Sequence, residues 1–356
     1  GSPEPYNLKV WFVGNEQFGN WQHGHMDAET YARRYLEFVR ALRTADDELE
    51  LIAVGVPTDL YGHWNELVLK HAERDIDHLS VHYYSIRTEK WETPPPPEQL
   101  YLPKLAAAHE VEMMLDETIR LVDQFTSEPM LIAFDEWNTY IGAKPPSFVE
   151  DYNLADALYT ATLLNACIQR CDRIQISAVF NLINVMGSYL VYPHYNWTPV
   201  NLGRGGGWVA TSIVEQNTPP LTVKVPSTLV LELMTEHRGD VAIGCEVTSP
   251  TFSSPAAGNL PAYDDIPFIH AAATYDTNSG KTYLSLVNRS LAHSVSVDIE
   301  GASYTDPATS YIIRGDSPLS TNDVNQPNHI QIEESTVGSL NPIVITPHTF
   351  LVLVLE

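Results

Sequence analysis

Two apolar runs that each break off at a carboxylate constrain this chain more than any other feature. Lys9-Val-Trp-Phe-Val13 is followed by Gly14, Asn15 and Glu16, and Met130-Leu-Ile-Ala-Phe134 by Asp135, Glu136, Trp137 and Asn138. Each reads as a buried parallel strand that delivers an acid to the C-terminal mouth of a barrel. The two glutamates stand 120 positions apart (136 − 16). That distance is no obstacle, because the strand ends of a parallel barrel converge on one mouth.

The segments around them keep the same rhythm. Helical spacing predicts helices over Ala28–Arg43, Leu60–Ala72, Leu105–Phe125, Asn153–Cys171 and Ser227–His237, the last stopped by Gly239. Apolar strand patterns lie at Leu49–Gly55, Ile76–Tyr84 and Arg173–Asn184, and an aromatic loop is expected from there to about Leu221. Five strand–helix alternations argue for a parallel sheet or barrel with right-handed crossovers. From Asp240 the pattern changes to short strands at Ile269–Tyr275, Lys281–Asn288, Val295–Ile299, Ser310–Arg314 and Thr349–Leu355, with turn signals such as Asn278-Ser-Gly between them. The expected fold is therefore α/β. A (β/α)8-type TIM barrel, with about five βα units present, covers residues 1–239, and an antiparallel β-sandwich domain covers 240–356. Five units are too few to close an ordinary barrel, so the sequence reads as the back portion of a larger catalytic domain. A folded five-strand barrel would expose two sheet edges. A complementary N-terminal polypeptide or a further copy of the chain is expected to cover them.

Charge narrows the partners. With 45 acidic against 20 basic residues in 356, the formal net charge is −25. Nucleic acid and anionic membrane both demand a basic footprint and are not expected. A neutral ligand such as a sugar is compatible, and no apolar run approaches the ~18 residues of a membrane span. Cys167 and Cys171 sit four apart in a helical pattern and read as small buried hydrophobes. With Cys245 they form neither a disulfide framework nor a zinc spacing. Sequons at Asn196 and Asn288 leave cytoplasmic and secreted locations both open.

Two carboxyls facing one substrate suit a retaining glycosidase, which holds them about 5–5.5 Å apart. One protonates the leaving oxygen and later activates water, and the other attacks the anomeric carbon. The acid must keep its proton near neutral pH, so its surroundings are expected to raise its pKa. Asn15 is placed to bind a sugar hydroxyl and Tyr84 to hydrogen-bond the nucleophile. Trp11, Trp21 and Trp137 offer apolar faces for sugar rings. His82 fits a structural histidine as well as a ligand contact, and Asp135 fits a supporting acceptor better than a catalyst. His23 and His25 lie close but lack a third ligand, so no metal site and no cofactor is expected.

Several motifs recur in a characteristic order: Trp11-x-x-Gly14-Asn15-Glu16, Gly19-x-Trp21-Gln22-x-Gly24-His25, His82-x-Tyr84, Phe134-Asp-Glu-Trp-Asn138, Asp151-Tyr-Asn-Leu-Ala-Asp-Ala-Leu158, Leu182-Ile-Asn-Val185 and Glu236-His-Arg-Gly239. Together they resemble the α-L-arabinofuranosidases of glycoside hydrolase family 51, and the resemblance covers essentially the whole chain. It implies a (β/α)8 barrel with a β-sandwich, and an oligomer of identical chains. It implies that Glu16, ending barrel strand four, is the acid/base, that Glu136, ending strand seven, is the nucleophile, that Asn15 contacts the furanoside and that Tyr84 positions Glu136. The implied activity is retaining exo-hydrolysis of terminal arabinofuranose from arabinoxylan or arabinan. The alternatives are another retaining glycosidase of the same barrel type (endoglucanase or β-xylosidase), or a non-catalytic carbohydrate-binding or assembly subunit. Two departures stand out. Asn181 replaces a common Gln, shortening a sugar contact, and barrel strands one to three cannot be placed.

Overall fold

The computed structural model describes all residues except 1–2, 5, 59, 88–94, 142–151, 185, 187, 202–205, 215–218 and 301–306, and of 194–212 and 214 it describes the backbone alone. Motif positions Asp151 and Val185 thus lie outside the described residues, as do the side chains of Tyr195, Trp197 and Trp208. The chain forms two compact units: residues 1–83, 112–137 and 170–179, and residues 84–111, 138–169 and 180–356.

A five-stranded sheet carries both acidic strand motifs. Its strands are β1 (Val10–Val13), β2 (Glu50–Val54), β3 (His78–Ser85), β4 (Leu131–Thr139) and β5 (Ile174–Val179), side by side in that order. The β1–β2, β2–β3 and β4–β5 pairs are parallel. Helices α1 (Ala28–Ala45), α2 (Leu60–Ala72), α3 (Tyr101–Val122) and α4 (Leu154–Gln169) follow the first four strands in turn. This is the half-barrel that the alternating pattern predicts. Leu51, Ile52, Ala53 and Val54 of β2 and Leu79 and Val81 of β3 are buried, as continuous apolar runs in parallel strands should be. β1 breaks that rule. Val10, Trp11 and Phe12 are all exposed although neighbouring side chains point to opposite faces, so the strand is uncovered on both faces. Among the described residues nothing pairs with the outer edges of β1 and β5.

Helix α1 fastens the β1–β2 end of the sheet. Asp27 caps it, its carboxylate accepting from the Thr30 amide at 2.8 Å. One turn on, the buried Tyr31 hydroxyl donates to Val13 O and accepts from Val54 N, both at 2.7 Å, stitching the C-terminal ends of β1 and β2 together.

In the second unit, six antiparallel strands form one sheet, ordered Val241–Ile243, Ile269–Tyr275, Thr282–Asn288, Thr349–Leu355, Ala308–Ile313 and Glu333–Val337. Its core is built from Leu284, Leu286, Leu351 and Leu353 with Ile343 and Ile345. The strands expected at Ile269–Tyr275 and Thr349–Leu355 appear with those bounds. The expected loop from Asn184 to Leu221 differs: it holds strands Tyr189–Tyr192, His194–Asn201, Gly206–Val214 and Leu221–Lys224, paired antiparallel in two ribbons. Its aromatic residues, read as loop decoration, are strand formers. Helix α5 (Pro226–Glu236) follows, and no helix among the described residues is long and apolar enough to cross a membrane.

Candidate active site

Glu16 is reached through a left-handed backbone. Gly14 has φ +109° and Glu16 itself φ +53°, so the chain turns sharply after β1 instead of continuing the strand. Consecutive turns then tighten the loop: Gly19 N donates to Glu16 O at 2.8 Å, Gln22 N to Gly19 O at 3.1 Å and Met26 N to Gln17 O at 3.0 Å. Gly19 gives the ring its seat, since a Cβ there would lie 2.3 Å from the Trp21 indole. The indole, held against that glycine, donates from Nε1 to Glu16 Oε2 at 2.7 Å. Gln22 Nε2 reaches the same oxygen at 3.5 Å.

Glu136 arrives differently from the expected strand end. β4 continues to Thr139, and its pairing with β5 is offset between Phe134 and Trp137, where Phe134 faces Ser177 and Trp137 faces Val179. The extra β4 residue makes a bulge at Asp135 and Glu136, a device that re-aims side chains out of a regular ladder. Both acids are half-buried, whereas Trp137 is 0 % exposed, stacked near Phe134 and donating from Nε1 to Ser177 Oγ at 2.9 Å. The expectation that Trp137 offers a face to sugar is therefore corrected: alternation about the bulge turns the indole into the core. Asn138 is buried too, its amide donating to Phe180 O and Met186 O.

His82 joins the two acids. Ser80 and His82 lie two apart on β3 and so share one face. His82 Nδ1 sits 3.0 Å from Glu16 Oε1 and 3.3 Å from Glu136 Oε2, and Nε2 sits 3.5 Å from Asp135 Oδ2. Ser80 Oγ donates to Asp135 at 2.9 Å and lies 3.3 Å from His82 Nε2. Burial would push the imidazole's pKa down, but hydrogen bonds to Asp135 and Glu16 and the charge of Glu136 push it up to about 10. The ring is an imidazolium among three carboxyls.

This reverses one expectation for Glu16. Burial raises its pKa, yet the hydrogen bonds from His82 and Trp21 outweigh burial and hold the carboxyl below its ordinary range. The same hydrogen bond pushes Glu16 down and His82 up, so it favours the proton on the imidazole over the carboxyl. One atom each from Glu16, His82 and Glu136 lie within 4.8 Å of one another, the one such set of ligand-type groups among the described residues. Geometry alone would admit a cation there. With His82 protonated, the imidazolium already supplies the positive charge.

Of the remaining expected contacts, Asn15 is exposed beside Glu16 and Trp21 is 58 % exposed. Tyr84 and Asn181 belong to the second unit. There Tyr84 meets Tyr140 and Phe180 edge-on, and the Asn181 side-chain Oδ1 accepts from the Leu182 amide at 2.5 Å. Trp11 donates to Leu8 O at 2.9 Å. Sequence reasoning missed Ser80 and Tyr61. Ser80 carries a signal, its two-residue spacing from His82 on one strand. Tyr61 carries none, because its meeting with Trp21 at 6.3 Å is purely tertiary.

The family described as the α-L-arabinofuranosidase C-terminal domain matches residues 135–346, more than half of the chain, and the α-L-arabinofuranosidase 1 domain matches residues 1–94. An intracellular exo-α-(1→5)-L-arabinofuranosidase of Bifidobacterium longum is 26 % identical over 338 residues, covering 85 % of this chain and 53 % of its own length. The structure of the thermostable GH51 α-L-arabinofuranosidase from Thermotoga petrophila RKU-1 superposes with a TM-score of 0.78 at 25 % identity, covering 100 % of this chain and 68 % of that one. A Paenibacillus polymyxa xyloglucanase of glycoside hydrolase family 44 shares the fold alone, at 13 % identity and a TM-score of 0.62, covering 98 % and 66 %. The chain spans about half the length of the curated relatives it matches.

Proposed function

The chain belongs to the α-L-arabinofuranosidases of glycoside hydrolase family 51, and from that membership we propose that it carries the machinery for retaining, exo-acting release of terminal arabinofuranose from arabinan or arabinoxylan. The observation that supports this most is the approach of Glu16 and Glu136, with one oxygen of each within 4.8 Å of the other. That closeness suits direct attack by one carboxylate, whereas an inverting pair stands about 6.5–9.5 Å apart to admit water.

In this reading Glu136 attacks the anomeric carbon while Glu16 protonates the departing oxygen. Glu16 then takes a proton from water, whose oxygen displaces Glu136. His82 Nδ1, 3.0 Å from Glu16 Oε1, holds the shared proton in the resting site and returns it to Glu16 when bound sugar excludes water. Asp135 and Ser80 orient the ring from behind. Tyr84 is kept as the residue that positions Glu136, and Asn15 and Asn181 as sugar contacts. The division at residues 239 and 240 is kept as the boundary between barrel portion and sandwich.

The reading includes a partner for the sheet. Among the described residues the outer edges of β1 and β5 pair with nothing, and with the uncovered apolar residues of β1 they suit further parallel strands from a complementary polypeptide that closes the barrel.

Hydrolysis of 4-nitrophenyl α-L-arabinofuranoside tests the chemistry. Turnover should be abolished in Glu136→Gln, restored in part by azide in Glu16→Ala, and give β-glycosyl azide as the first product of an α-glycosyl-carrying substrate only if retention fails. Formation of the α-azide is expected. Turnover that survives Glu136→Gln would sink the assignment. Where the chain alone is inactive, the front portion of a relative's barrel added in trans should bring activity. Inactivity of both together would overturn the proposal.

A further inference from the structure

We propose that Asp135 and Ser80 fix which nitrogen of His82 gives up its proton: Nε2 keeps its hydrogen throughout, and Nδ1 alone exchanges a proton with Glu16. The two are positioning residues, acting on Glu16 through the ring. This rests on the reading of Glu16 as the acid/base.

Hydrogen-bond direction governs the Nε2 side. Ser80 Oγ lies 2.9 Å from Asp135 Oδ1 and 3.1 Å from Oδ2. A carboxylate only accepts, so the one hydroxyl proton of Ser80 goes to Asp135. The lone pairs of Oγ are left to face His82 Nε2 at 3.3 Å, and Asp135 Oδ2 stands 3.5 Å from the same nitrogen. Both neighbours of Nε2 are acceptors, and a bare Nε2 would set its lone pair against theirs. The hydrogen bond at one ring nitrogen decides the tautomer, and with it the nitrogen that is free to react.

Nδ1 meets a partner that changes. Glu16 Oε1 lies 3.0 Å away and Glu136 Oε2 3.3 Å. An ionised Glu16 accepts from Nδ1–H, and a protonated Glu16 donates to bare Nδ1. Passing the proton breaks the Nδ1–H bond and forms the O–H bond of Glu16; product release reverses both. The ring thus alternates between imidazolium and the Nε2–H tautomer without turning over. Among the described residues the charged groups against it are Glu16 from the loop after β1 and Asp135 and Glu136 from β4.

The backbone is shaped for this grip. Consecutive strand residues point to opposite faces, yet Asp135 and Glu136 contact the two nitrogens of one ring. The bulge in β4 allows it. Ser80 is buried on β3, two residues before His82. The side that keeps its proton is therefore held by strands, and the exchanging acid sits on a loop.

Heteronuclear NMR of the full chain with nitrogen-labelled histidine reads the ring directly, the His82 signals being those lost in His82→Gln. Raising the pH should strip Nδ1 and leave the Nε2 hydrogen in place. In Asp135→Asn the amide can donate to Nε2. The neutral ring should then carry its proton on Nδ1, and should titrate about 1–3 pH units lower. Ser80→Ala should move the neutral ring toward the Nδ1–H form, and Ser80→Thr, which keeps the hydroxyl, should not. A bare Nε2 in the parent would overturn the inference. So would an unchanged tautomer and titration in an Asp135→Asn chain whose circular dichroism matches the parent's, and that variant decides alone if the parent ring keeps both protons until the chain unfolds in base. The spectra need no turnover, so a wrong tautomer leaves the proposed activity standing, and turnover surviving Glu136→Gln sinks the activity without touching the tautomer.

Discussion

At His82 one base faces three acids, and the charge of the site follows from that imbalance. Glu16, Glu136 and Asp135 surround the ring at 3.0, 3.3 and 3.5 Å, with Ser80 as the neutral neighbour. The folded protein holds a proton up to about pH 10 on a group whose ordinary value is 6.5. Between those limits the native state binds a proton that the unfolded chain does not. This contribution to stability is therefore full below pH 6.5 and is lost as pH rises toward 10, at no more than about 1.4 kcal/mol per pH unit. Glu16, held low, contributes in the opposite direction, and its share is lost as pH falls through its depressed value. Denaturant melts between pH 6.5 and 10 should show a steeper decline for the wild type than for His82→Gln. Parallel curves would mean that His82 is neutral. Gly19 offers a second check at this scale. Gly19→Ala would drive the Trp21 indole off its seat and remove the 2.7 Å bond to Glu16. We expect kcat to fall with little change in the melting temperature, because the ring that must move, Trp21, is 58 % exposed; a lost fold would show the glycine to be structural instead.

At the scale of elements, the site depends on how β1 and β4 end their regular pairing. β1 is terminated by the left-handed residues after Val13, and beyond its ladder with β2 its end is also tied to that strand through Tyr31. Replacing that residue by Phe leaves Val13 O and Val54 N without the hydroxyl, and each unsatisfied buried group costs about 1–3 kcal/mol. Tyr31→Phe is expected to lower stability by roughly 2–6 kcal/mol in urea unfolding, and to reduce kcat through loosening of the segment that carries Glu16. Full stability would show that another group satisfies both atoms. β4 uses a bulge instead, and so can keep pairing with β5 to Trp137 while Asp135 and Glu136 point away from the ladder.

At the scale of the whole molecule, the half-barrel carries a strand written for a buried position and left in the open. Val10, Trp11 and Phe12 (48 % exposed) form an apolar strand whose outer edge pairs with nothing among the described residues, a ready site for strand addition. Sedimentation of the chain alone should show association that rises with concentration, and the pair Val10→Lys and Phe12→Lys should reduce it. The same pair should weaken completion by a complementary barrel segment. Association unchanged by both lysines would place the contact elsewhere.

The order of strands and helices was readable because burial leaves a periodic trace. β1 to β5, α1 to α5 and the strands Ile269–Tyr275 and Thr349–Leu355 are all local patterns of apolar residues. The meeting of Glu16 with Glu136 was readable as well, since both motifs follow the same kind of apolar run. Three features of the site were not. The bulge at Asp135 and Glu136 depends on the register against β5, the burial of Trp137 follows from that bulge, and the protonation of His82 depends on carboxyls 66 and 54 positions away (82 − 16 and 136 − 82). Periodicity records whether a residue faces the core. Register, charge and the meeting of Trp21 with Tyr61 are properties of neighbours, and only the folded chain decides who those are.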